Sequence, residues 1–144
     1  MNELVGAAAP HLAQFGTVVR LTLHVLAACV WVGGQIVVAG LVPTARSISP
    51  DAPRQVARAF ARLSWPAYWL LVVTGVWNYL AISAADATTS WRVAFALKMA
   101  SVVVAGLGAF FHTKARSARG RGVFAGVGMI GTLAALVLGV ALSG

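Results

Sequence analysis

The chain has 144 residues, of which 60% are hydrophobic and 10% charged, with a net charge of +8. That balance excludes a disordered chain, which needs low hydrophobicity and high charge. It also fits poorly with a water-soluble globule, about a quarter of whose residues are charged; a mean hydropathy of +0.86 suits a lipid bilayer instead.

A spanning helix needs roughly 20 mostly apolar residues, and four segments meet that requirement. The expected fold is therefore all-α: one transmembrane domain over residues 1–144, built as a four-helix antiparallel bundle. The N-terminus carries Glu3 in place of a basic n-region, so no cleavable signal peptide is expected. Span one covers about 15–42 and is closed by Pro43. It contains the single Cys29, which excludes an intrachain disulfide framework and a multi-cysteine zinc site. A basic loop follows over 43–63, with Arg46, Arg54, Arg58 and Arg62 offset only by Asp51. Within it, Ser49-Pro50-Asp51-Ala52-Pro53 reads as a helix start leading through a short basic helix into span two. Attraction to anionic headgroups accounts for most of that charge run.

Span two covers about 64–82, with Pro66 in its first turn, where a missing N–H is harmless. The next connection holds Asp86. Span three covers about 91–111 and is followed by Lys114, Arg116, Arg119 and Arg121 without an acid. Span four covers about 122–142; its glycines, including a Gly122–Gly126 GxxxG spacing, suit close helix packing or contact with another chain. The positive-inside rule puts both basic loops in the cytoplasm and both termini outside, in a plasma (inner) membrane. The basic balance then needs no nucleic acid to explain it.

Ionisable side chains at membrane depth are costly, so each is a candidate for function. Arg20, His24, Trp31 and Gln35 fall within about 60° of one another around span one, with Thr17 on the same stripe. Cys29 points the opposite way. Span three places Trp91, Lys98 and His112 on one face, and span two offers Thr74 and Asn78 at helical spacing. Counted from the outer ends of spans one and three, His24 and Lys98 both sit roughly 10–14 Å deep. Asn78 reaches the same level and Arg20 lies one turn outward, so these four residues are expected to form one polar cluster. His112 lies roughly 18 Å deeper than His24 and cannot share a metal with it; His11 lies too far in the other direction. Two buried cations without a protein anion call for compensation by water, backbone carbonyls or a bound anionic group. Alternatives stay open: Arg20 can snorkel to headgroups, and His24 can simply hydrogen-bond a neighbouring helix.

Leu23-His24 followed by Trp31-Val32-Gly33-Gly34 resembles the LHxxxxxxWxGG signature of the CopD family, the copper resistance D membrane domain. Arg58-Ala59-Phe60-Ala61-Arg62-Leu63-Ser64 and Val73-Thr74-Gly75-Val76-Trp77-Asn78 are similar to the second span of that family, and Leu97-Lys98 to its span-three lysine. The resemblance covers roughly residues 20–116 and implies copper binding or transport, with His24, Trp31, Asn78 and Lys98 as the corresponding residues. Met99 is a candidate soft second ligand beside His24. The His-to-Trp spacing and the lysine also resemble HemJ-type protoporphyrinogen oxidases, four-helix membrane proteins that bind haem b. That resemblance implies His24 as axial ligand, with Arg20 and Lys98 near porphyrin carboxylates, in an enzyme. A third expectation is a non-catalytic accessory subunit, in which span four packs on a larger membrane complex or on a second copy and the polar cluster is structural.

Overall fold

The computed structural model describes residues 12–82 and 87–143, and the described residues form four long helices and no strand. Glu3, His11 and Asp86 lie outside the described residues. Helix α1 runs over Phe15–Ile48, α2 over Ala52–Leu80, α3 over Thr89–Lys114 and α4 over Ala118–Ala141.

Each later helix has a local start signal. The Ser49 Oγ accepts from the Ala52 N–H at 3.1 Å and Pro53 occupies the first turn of α2. Thr88 caps α3 by accepting from the Trp91 N–H at 3.2 Å, and Ser117 caps α4 by accepting from the Gly120 N–H at 3.0 Å. Each hydroxyl satisfies a donor that the helix itself leaves orphaned.

Two features of the basic segment differ from the sequence expectation. Pro43 does not close α1, which continues to Ile48, and the stretch 43–63 is helical except at 49–51. A proline removes one backbone hydrogen bond without forcing the chain to stop, and the serine-capped start nucleates α2 early. Three helices, α1, α3 and α4, are long and apolar enough to cross a membrane. Helix α2 does not reach that apolarity, because Trp65, Tyr68, Trp69, Asn78 and Tyr79 dilute its aliphatic run.

The contacts fix the directions of the helices. Along α1 and α2, His24 meets Thr74, Trp31 meets Tyr68 and Gly34 lies against Phe60, so rising numbers on one face falling numbers on the other. Tyr79 stacks on Phe95 while Tyr68 reaches Val102, which makes α2 and α3 antiparallel as well. Between α3 and α4, Lys98 lies beside Gly139, Ala105 beside Gly131 and Gly108 beside Gly128. A bond from Trp31 Nε1 to Thr132 Oγ1, 3.2 Å, ties α1 to α4. The connections at 49–51 and 115–117, with the basic residues around them, therefore share one end.

The core is thin and built largely of small residues, Ala27, Ala45, Ala67 and Ala105 among them, around Trp31 and Tyr68. A Cβ on Gly108 would meet the Gly128 backbone at 2.5 Å, and one on Gly131 would meet the Ala105 nitrogen at 2.8 Å. Backbones approach this closely only where side chains are missing, which is how helices associate in lipid. Gly122 and Gly126, by contrast, face open space. Large aliphatic side chains cover the outside: Ile130 is 70% exposed and Val137 and Val140 are each 67% exposed. Water would penalise such a surface; lipid does not.

Candidate intramembrane site

His24 projects from α1 toward α2, where its Nδ1 lies 2.7 Å from the Thr74 Oγ1. Thr74 is 1% exposed, and its hydroxyl reaches back to the Leu70 carbonyl at 2.6 Å. A threonine hydroxyl has one proton. Once that proton is donated to Leu70, the oxygen is an acceptor toward His24, so Nδ1 carries the imidazole proton. The Nε2 lone pair is then the free one, the arrangement by which a hydrogen bond on one ring nitrogen prepares the other for a metal. Gly75 flanks the ring: a Cβ there would stand 3.7 Å from the His24 Cε1, an ordinary contact.

One turn toward the other end of both helices, the same antiparallel register sets Arg20 opposite Asn78. The Arg20 Nε and the Asn78 Oδ1 are both buried without a hydrogen-bond partner. Buried polar atoms are normally satisfied, and an orphan needs an explanation. Lys98 enters from α3, half-buried and within electrostatic range of His24. A side chain at Gly139 would crowd it, since a Cβ there would lie 3.3 Å from the Lys98 Nζ. Asp51 is the sole acid among the described residues, and it lies in the connection at the opposite end. The cluster is thus an imidazole with a directed lone pair beside two cations.

Trp31 belongs to a different neighbourhood. It is 4% exposed, donates to Thr132 and packs against Tyr68 and Trp65 at 4.7 and 5.9 Å between ring centroids. It lies roughly 10 Å along α1 from His24, within a π turn over Cys29–Gly33. Such a turn inserts a residue into the helical ladder, so the 100° spacing that aligns Gln35 with His24 does not carry through it. The Gln35 Nε2 is also buried and unpartnered. Cys29 is exposed on the outside of the helix. Met99 follows Lys98 by one residue and so lies about 100° around α3 from it. No group of three or more His, Cys, Asp or Glu suited to a metal occurs among the described residues. His112 lies at the basic end of α3, where its Nδ1–H donates to the Arg121 carbonyl at 2.9 Å.

Sequence reasoning singled out Thr74 by its spacing from Asn78 and by the family resemblance; its bond to His24 required the pairing of α1 with α2. Gly139 was read only as one of the packing glycines of span four, and its place beside Lys98 required the pairing of α3 with α4. No protein-family model, curated protein or solved structure matches the chain.

Proposed function

We propose that the chain is a CopD-like, four-span membrane protein that binds or moves copper inside the bundle, with the His24 Nε2 as its ligand. One observation supports this reading above the others. Of the residues that carry the resemblance, Thr74 and Gly75 contact the His24 imidazole and Lys98 lies within its electrostatic range, while Trp31 sits two turns further along α1. Imidazole nitrogen is a good copper donor; Met99, the candidate thioether, would have to turn toward His24 from a position about 100° around α3 from Lys98. Helix α2 counts as the fourth span because it packs lengthwise between α1 and α3. The basic end, with the connections at 49–51 and 115–117, then faces the cytoplasm of a plasma membrane, by the bias that retains Lys and Arg inside.

A second reading has its own observation in its favour. Arg20 and Lys98 give the cluster a positive excess, and the unpartnered Arg20 Nε is a donor awaiting an acceptor. A haem b would bring its own carboxylates, which Arg20 and Lys98 could hold, while His24 would hold its iron. Bound haem would supply one-electron or porphyrin chemistry; the chain would supply the imidazole, the two cations and a water-poor setting.

The absorption spectrum and copper content of the detergent-purified protein test the two readings together. Stoichiometric copper without a Soret band supports the first, and a Soret band with little copper supports the second. A folded protein with neither overturns both and leaves the cluster a structural or accessory feature.

A further inference from the structure

Toward the basic end, α2 and α3 flank an open groove of about 210 Å³. Trp65, Tyr68 and Trp69 line it from α2, and Val103, Leu107 and Phe110 from α3. The one hydroxyl among these side chains, on Tyr68, is committed to the Val102 carbonyl at 3.0 Å. Gly106 fixes the floor, because any side chain there would collide with the Tyr68 ring. The lining therefore offers dispersion contacts and almost nothing polar.

Both walls change character at the same end. On α2, Arg58, Arg62, Trp65 and Trp69 follow one another at i, i+4, i+7 and i+11, a single helical face. On α3, Val103, Leu107, Phe110 and Lys114 repeat that spacing. The two helices are antiparallel, so each stripe begins in the groove and runs out to cations at its mouth. The Lys114 Nζ stands 5.7 Å from the centre of the Phe110 ring, and Arg58, Arg62 and Lys114 are all exposed.

An occupant complementary to this surface has an apolar chain continuous with an anionic head. We infer that the groove holds an acyl chain of an anionic glycerophospholipid, with its phosphate between Arg62 and Lys114. Charge and depth agree: in a bilayer the chain points inward and the phosphate sits at the interface, where juxtamembrane Lys and Arg attract anionic headgroups. The proposal depends on α2 and α3 standing in the bilayer and is independent of what His24 binds.

Tryptophan quenching tests it, because Trp65 and Trp69 are the groove walls. The full chain is reconstituted in mixed phosphatidylglycerol and phosphatidylcholine vesicles of fixed composition, with brominated chains on one lipid or the other. Stronger quenching from brominated phosphatidylglycerol is expected, and that preference should disappear in Arg62→Gln/Lys114→Gln and in Trp65→Phe/Trp69→Phe. Arg46→Gln/Arg119→Gln, on helices that do not line the groove, should keep it. Equal quenching by both lipids in the unaltered chain would overturn the proposal. So would an equal loss in the Arg46→Gln/Arg119→Gln control, which would mean only a general attraction of the basic end.

Discussion

His24 and Thr74 are joined across α1 and α2 by a 2.7 Å hydrogen bond whose direction is set by a third group, the Leu70 carbonyl. The chain Leu70–Thr74–His24 favours a proton on Nδ1 and a free Nε2, and under the proposed function Thr74 would be a positioning residue for the His24 ligand.

Replacing Thr74 by valine keeps its shape and removes the hydroxyl. The imidazole then loses its orienting acceptor, and ligand affinity should fall about 10–100-fold, as for other partners behind metal-binding histidines. Thr74→Ser should restore most of it. Competition titration with a copper chelator, or Soret intensity if haem is the ligand, reads the difference. Equal affinity in the valine and serine variants would remove Thr74 from the account.

The glycines of α3 and α4 divide into two groups with opposite tolerance. Gly131→Val and Gly108→Val force side chains into backbone already in contact and should cost about 1–3 kcal/mol or more. Gly126→Val enters open space and should leave stability nearly unchanged. Thermal unfolding in detergent distinguishes them, and similar losses at Gly126 and Gly131 would contradict the packing described.

Orientation is open to chemical labelling. In a Cys29→Ser background, a cysteine introduced as Ser49→Cys or Ser117→Cys should react with an impermeant maleimide only after the inner face is opened. Ser143→Cys should react in intact cells. The reverse pattern would invert the bundle. A Ser143→Cys that labels on the same side as Ser117→Cys would mean that α4 does not cross.

The all-helical architecture was legible because long apolar runs are local signals, while the caps at Thr88 and Ser117 emerged only from the structure. Counting residues along straight rods put His24 and Lys98 at one expected depth, and Lys98 lies within electrostatic range of His24. Three things were not legible. Trp31 faces α2 as His24 does but stands two turns along α1, where its partners, Tyr68, Trp65 and Thr132, were not readable from the angle around one helix. Helix α1 ran through Pro43 to Ile48, because a proline removes one backbone hydrogen bond without ending a helix, whereas the helix start after Ser49 was already readable. Helix α2 falls short of the other three in apolarity, its aromatic residues serving the contacts with Trp31, Phe95 and Val102.

The central claim is that His24 is the ligand-bearing residue of the cluster, and a single substitution tests it most directly. Bound copper and haem are measured per mole of purified chain, in the native sequence and in His24→Ala, alongside thermal unfolding of each. The account predicts that His24→Ala unfolds at nearly the native temperature and carries neither ligand. A folded His24→Ala protein that retains the full native complement of copper or haem would contradict it.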